Sequence, residues 1–573
     1  MRYLTSVLCS TALLIGMLAL AWPGEAQAQY FRFGKNKVQY EEQAWSYLRS
    51  RHFDIYYYEG GYYLADFTAK AAEEAYAQIA ELFRHQISDR IPIIVYQSHN
   101  EFAVTNAASL PVYSEGIGGV TELFKNRVIL PFTGDYRDYR RVVHHELVHA
   151  VIDDMFYGGS LQAIIQNNIQ LRIPLWFNEG LAEYAALGWD TNSDMYVREA
   201  ILEDHLAPIP YLSGYFAYRG GQSMWDYIAE QYGREKISEI LQRLRSSRSV
   251  EGSFKRATGL TLEELSERWQ KTLKEIYYPE IAAREDLGDI ARPILTRDNA
   301  GYYNTSAALS PKGDKVAYIT TRSGLFDVYI ASANDGEIIR KLIDGQTSTA
   351  FESLRILTPG ITWSPDGEQI AIAVKSGATD AIALVNVTTA RATHYTIPGI
   401  DQILTVAWHP QGSKIAFEGS MDAQSDIYVL DLKTRETINY TSDLFSDHEP
   451  AWSPDGQYLV FHSDRGSFTQ LARHRTDNFQ MVDYDYGQFD LYRLTPGETI
   501  VERLTNDETW DEESAKFGDD PNRLLFISDR NGIRNVYEKN LTTGTERPMT
   551  DVVVGVMQLS VSADGQKAAL VSL

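Results

Sequence analysis

The stretch WSPDGEQIAIA, Trp363–Ala373, decides the fold of half the chain. It reads as a Pro-Asp-Gly turn running into an apolar strand, and it recurs. Copies begin LSPKGDKVAYI at Leu309, WHPQGSKIAFE at Trp408 and WSPDGQYLVFH at Trp452. A degenerate copy, FGDDPNRLLFIS, starts at Phe517, and VSADGQKAALVSL begins another at Val561. Each complete copy carries a further strand: DVYIAS, DAIALV, DIYVLD, DLYRLT and NVYEKN. The unit is strand, turn, strand, loop, strand, with a period of about 45 residues. A sheet of this size cannot bury both faces alone, so copies stack around an axis as blades. The Trp452 unit carries an inserted loop, HSDRGSFTQLARHRTDNFQMVDYDYGQFD, read as tolerated surface. The last copy stops after a first strand, which would leave a strand edge unpaired, so the repeats are expected to continue beyond Leu573.

The remainder of the 573 residues is too long to share that core, so a second domain precedes the repeats. A net charge of −24 argues against non-specific nucleic-acid binding, which needs a basic surface. Residues 1–28 have Arg2, an apolar run from Leu4 to Trp22 and Ala26-x-Ala28, the pattern of a cleaved signal peptide. No second apolar run is long enough to span a membrane. The only cysteine, Cys9, lies inside that segment, so the processed chain has no disulfide. Export without disulfides suits the periplasm or cell envelope of a bacterium.

Residues 29–285 are mixed and mostly helical, and 286–573 hold the repeats. FDIYYY, IPIIVY and NRVILPF read as strands. LADFTAKAAEEAYAQIAELF reads as a helix with Leu64, Phe67, Ala71, Ala75, Ile79 and Leu82 on one face. A capping box, Thr261-x-x-Glu264, opens the last long helix, which Pro279 is expected to help end.

Within this half, RRVVHHELVHAVIDD (Arg140–Asp154) reads as an amphipathic helix. His145 and His149 are one turn apart on one face, where two imidazoles can grip one zinc ion. Glu146 sits where it can take a proton from the attacking water, so the pattern is H-E-x-x-H. A third ligand is required. Ile152 and Met155 stand where a metzincin continuation needs Gly and His. PLWFNEGLAEYAALG supplies the alternative: Glu179 and Glu183 are one turn apart, with Asn178 as a candidate cap. One carboxylate can ligate the metal while the other hydrogen-bonds a ligand imidazole.

HELVHA followed by WFNEGLAEY resembles the gluzincin zinc metallopeptidases, the thermolysin and aminopeptidase N group, and most of all the peptidase MA-like domain. The resemblance covers about Phe53 to Arg284. It implies an α+β metallopeptidase with His145, His149 and Glu179 as zinc ligands, Glu146 as catalytic base and Glu183 orienting a histidine. It also carries the oxyanion-stabilising tyrosine to Tyr218 of Tyr-x-x-Gly221, with Tyr215 as a backup. GGSLQAIIQNNIQLRI is then an insertion near the cleft. The repeats resemble the TolB-type, WD-like β-propeller.

Three other features carry less. His144 points about 100° away from His145 and is expected at the surface or behind the ligands. Asp153 and Asp154 read as a solvated helix face. GIGGVTE (Gly116–Glu122) reads as an ordinary turn, with Glu122 the one candidate for holding a substrate amine. The chain therefore reads as an exported zinc metallopeptidase acting on peptides or proteins, with a propeller that binds substrate or an envelope partner. The rival is a non-catalytic envelope scaffold acting through its propeller. A serine peptidase is disfavoured because no Gly-x-Ser-x-Gly elbow occurs.

Overall fold

The computed structural model describes residues 43–106, 116–122, 126–158, 171–377, 379–471, 479–484 and 486–573. The expected signal peptide and most of the expected insertion at 158–173 lie outside these residues. No helix among the described residues is long and apolar enough to cross a membrane.

A five-stranded sheet heads the N-terminal half. Its strands are β1 (Ser46–Arg49), β2 (Phe53–Tyr57), β3 (Ile91–Tyr96), β4 (Val120–Glu122) and β5 (Arg127–Pro131), in spatial order β1-β2-β3-β5-β4. β2, β3 and β5 run parallel, and β1 and β4 are antiparallel edges. The helices are α1 (Tyr62–Phe83), α2 (His99–Ala103), α3 (Tyr136–Tyr157), α4 (Leu175–Leu187), α5 (Thr191–Leu202), α6 (Tyr215–Tyr232), α7 (Glu235–Ser247), α8 (Val250–Thr258) and α9 (Leu262–Ile281). The apolar face expected on α1 is buried throughout. It packs with Phe53, Ile93, Val128 and the apolar residues of α3 in one core. The capping box at Thr261 forms as expected, but α9 runs through Pro279 to Ile281. Asn178 is not a cap: α4 begins three residues earlier, at Leu175 after Pro174, and Asn178 lies inside it.

α3 is not amphipathic. It is buried on nearly every side from Val142 to Tyr157. A helix enclosed all round is a central element, and this one lies between the sheet, α1 and α4.

The second half is a β-propeller. Five sheets of four or five strands are followed by a two-stranded sixth, Val556–Val561 with Ala568–Ser572. The sixth packs between the fifth sheet and the first and closes the ring. Across that seam Leu309 N donates to Ser560 Oγ (2.9 Å) and Ser306 N to Gln558 Oε1 (2.7 Å). The three strands expected per unit are present, and each of the first five sheets adds a short outer strand, such as Thr437–Asn439 and Glu546–Pro548.

The innermost strands of all but the second sheet carry a register shift, between Thr305/Ala308, Ile403/Val406, His448/Ala451, Glu513/Lys516 and Val556/Gln558. Such bulges re-aim side chains. Here they help polar groups to meet across blades: Ser514 Oγ donates to Glu449 Oε2 (2.9 Å), and His448 lies 2.8 Å from Glu418.

The two halves meet at the start of α3. Asp135 caps the helix, accepting from Arg137 N (2.6 Å) and Asp138 N (3.0 Å). Next to it Tyr136 donates to Ala423 O (3.2 Å), a propeller turn. Arg137 makes a bidentate pair with Asp511 (2.9 and 3.1 Å) and lies 4.1 Å above the Phe489 ring. Asn100 of α2 adds bonds to Asp380 (2.8 Å) and Asp401 O (2.6 Å).

Candidate metal centre and cleft

Three helices and one edge strand build a cleft of about 940 Å³. α3 is its floor. Ten residues beyond its capped, propeller-bound end, roughly 15 Å along the axis, it presents His145, Glu146 and His149, all buried.

α4 brings Glu179 over them. Nε2 of His145 and Nε2 of His149 are 3.1 Å apart, and Glu179 Oε2 is 3.3 Å from the first and 3.2 Å from the second. Ligand atoms held about 2.0–2.1 Å from one tetrahedral ion lie about 3.3–3.4 Å from each other. The triangle therefore has the edge lengths of one face of a zinc tetrahedron, and the residue types suit zinc. Electrostatics agree with a cation at this point. Burial disfavours the charged form of His145, but Glu179 and Glu183 outweigh it and push its pKa up to about 10. Burial also works against an ionised Glu179, yet His145 and His149 hold it well below the usual carboxylate range.

Glu183, one turn after Glu179, is buried with Oε1 3.4 Å from His145 Nδ1, an ion-pair distance too long for a good hydrogen bond. Arg219 (3.2 Å) and Arg141 (3.5 Å) fix the same carboxylate.

Two glycines make the arrangement possible. α4 and α6 cross at Gly180 and Gly221, so closely that a Cβ on Gly180 would stand 2.5 Å from Gly221 Cα and 2.8 Å from Gln222 N. A Cβ on Gly221 would stand 2.9 Å from Gly180 Cα and would also strike the Trp176 carbonyl. The crossing puts Glu179, next to Gly180, and Tyr218, one turn before Gly221, on one cleft. The Tyr218 ring lies nearly parallel to His145, 6.5 Å away. Burial and the carboxylates of Glu179, Glu146 and Glu183 raise its pKa, which keeps the phenol protonated. Tyr215 lines the rim, 44% exposed, and accepts from Arg219 Nε (2.9 Å).

Several expectations need correction. GIGGVTE is no ordinary turn. Gly119 lies against Glu146: a Cβ there would be 2.7 Å from Glu146 Cγ. Thr121 donates to Glu146 Oε2 at 2.7 Å and to Glu146 O at 2.9 Å. Its role was invisible in the sequence, although the glycine-rich run beside it marks a close backbone approach. Glu122 is ion-paired with Arg127 and does not line the cleft. His144 is buried rather than superficial, and burial, then His145, lowers its pKa to about 4. It is not among the converging ligand atoms. Asp154 is not solvated: it is buried against His85 (2.8 Å) and Ser88 (3.0 Å). Asp153 is half-buried in the cleft wall.

Known proteins match the two halves separately. Residues 71–275 match the peptidase MA superfamily, and residues 343–482 match the TolB beta propeller domain. A TolB homolog from Chlorobium chlorochromatii is 28% identical over 153 residues, 27% of this chain and 32% of that protein. The Tol-Pal system protein TolB of Francisella tularensis subsp. mediasiatica is 25% identical over 187 residues, 32% of this chain and 40% of that protein. The match thus spans well under two thirds of those relatives' length. Among solved structures, a putative TolB from Agrobacterium tumefaciens aligns at 20% identity with a TM-score of 0.36, covering 48% of this chain and 91% of that one. The chain therefore joins a peptidase MA superfamily domain to a TolB-like β-propeller.

Proposed function

We propose that the chain is a zinc-dependent peptidase of the gluzincin type, exported to the bacterial envelope, whose substrates are peptides or proteins. The observation that carries this is the convergence of His145, His149 and Glu179 at tetrahedral edge distances with Glu146 alongside. Zinc held by these three residues would polarise the scissile carbonyl and acidify the attacking water. Glu146, steadied by Thr121, accepts the proton of that water and returns it to the leaving amine. The protonated Tyr218 hydroxyl faces the cleft and donates to the oxyanion. β4 is the last strand of its sheet and borders the cleft, so an extended peptide adds to it by backbone pairing. Glu183 acts through His145, fixing its ring from behind.

The test is elemental analysis for zinc together with cleavage of casein and of a peptide library, with Glu146→Gln as control. One zinc per chain with cleavage abolished in the variant supports the reading. Stoichiometric zinc without cleavage of any substrate would favour the scaffold role.

A further inference from the structure

The cleft contains one half-buried charge that the proposed chemistry does not use. Arg141 and Arg219 are committed to Glu183, Glu146 to Thr121, and the two histidines and Glu179 to each other. Arg172 lies exposed on the rim. Asp153 has no hydrogen bond or ion pair among the described residues. It stands one turn past His149 on the face that carries His145 and His149, about 6 Å further along α3. Ile152 and Tyr157 of the same stretch of α3, with Leu171 and Ile173, add apolar surface to the cleft. Burial pushes its carboxyl up to about 7, opposed only by His149. A half-buried carboxylate held without a partner is costly, and an incoming cation removes that cost.

From this geometry we propose that Asp153 determines specificity, binding an ammonium or guanidinium group of the substrate in a subsite beside His149. This rests on the peptidase reading. Glu122, the carboxylate first suggested for a substrate amine, is spent on Arg127. The −24 net charge favours the approach of basic substrates in the same sense. The cation has two possible sources, a Lys or Arg side chain or a free N-terminus.

Zinc-loaded Glu146→Gln protein, which holds substrate without turnover, separates the possibilities. Fluorescent peptides carry Lys or norleucine at each position in turn, with free or acetylated N-termini. Lys at one position, or the free amine, is expected to tighten binding on the order of tenfold or more. Asp153→Asn in the same background should reduce that ratio to near unity, and Asp153→Lys should reverse it toward glutamate peptides. Zinc content and circular dichroism verify that both variants fold. A wild-type background with no preference at any position, or a preference that survives Asp153→Asn, overturns the assignment. Because the readout is binding, a cationic preference in a protein whose Glu146 form cleaves nothing would refute the peptidase reading and leave the subsite standing.

Discussion

Replacing Gly180 with alanine sets two effects of opposite sign against each other. In an ordinary helix interior the change stabilises by about 1 kcal/mol, because glycine is the poorer helix former. At Gly180 the new methyl would stand 2.5 Å from Gly221 Cα and 2.8 Å from Gln222 N, both backbone atoms that cannot rotate away. Carbon atoms pack at about 3.5–4.0 Å, so α4 and α6 must part by roughly 1 Å. Overpacking of this kind costs about 1–3 kcal/mol, so the net expectation is a loss of up to about 2 kcal/mol after the helix gain is subtracted. The functional loss should be larger. Glu179 is the neighbouring residue, and a metal site tolerates about 0.2 Å in ligand position. A 1 Å displacement of positioned groups costs on the order of 100-fold in rate. Urea unfolding, zinc competition with a chelator and peptide cleavage measure the three quantities. Gly221→Ala should match Gly180→Ala in all of them, since its methyl meets the same crossing from the other side. If Gly180→Ala unfolds about 1 kcal/mol later than wild type with unchanged zinc affinity, the close crossing does not constrain the site and the reasoning fails.

Three further perturbations have defined outcomes. Thr121→Val removes a 2.7 Å hydrogen bond to Glu146 and keeps the side-chain shape; at about 1–1.5 kcal/mol, kcat should fall roughly tenfold with zinc content unchanged. Arg465 is fully buried between Asp443 (2.7 Å) and Asp447 (2.5 Å), so Arg465→Met leaves two buried carboxylates unpaired; chemical denaturation should show a loss of about 3–5 kcal/mol. Burial, with Asp135 nearby, raises the Asp464 carboxyl to about 7, so the folded chain holds this proton more tightly than the unfolded one. Its contribution is fully present below the unfolded value near 4 and is lost as pH rises through 7. The melting temperature of Asp464→Asn should therefore decline less than that of wild type between pH 5 and 8, and parallel curves would contradict the assignment.

The features legible in the sequence are those whose residues announce themselves locally. His145, Glu146 and His149 are fixed by the period of a single helix, and Trp363 and Trp452 end inner strands because the turn after them repeats. The outer strands escaped because segments such as Thr437–Asn439 are exposed or half-exposed and too short to show a period; their pairing is set by the strand beside them. α3 reads as amphipathic in the sequence, but its charged residues do not form a solvated face. Arg140 instead reaches the Val482 carbonyl of the propeller (3.0 Å), and Arg141 reaches Asp138 and Glu183. Asp153 and Asp154 look alike in sequence, yet a 100° step separates the cleft wall from a buried pair with His85. That distinction depends on packing partners far away in the chain.

α3 also ties the two halves together in a way that bears on what the propeller does. Its first turn is held by Ala423, Ser446 and Asp511, from three successive stretches of the propeller. His145 follows on the same rigid helix two to three turns later. Any movement of those propeller loops must carry the helix with it or break the Arg137–Asp511 pair, and ligand positions tolerate only tenths of an ångström. The surface that receives α3 is thus occupied by the peptidase domain's own central helix, and a partner protein could reach it only by displacing Tyr136 and Arg137. On this geometry the loops that hold α3 support the cleft, and they stay closed to any partner while Tyr136 and Arg137 remain seated.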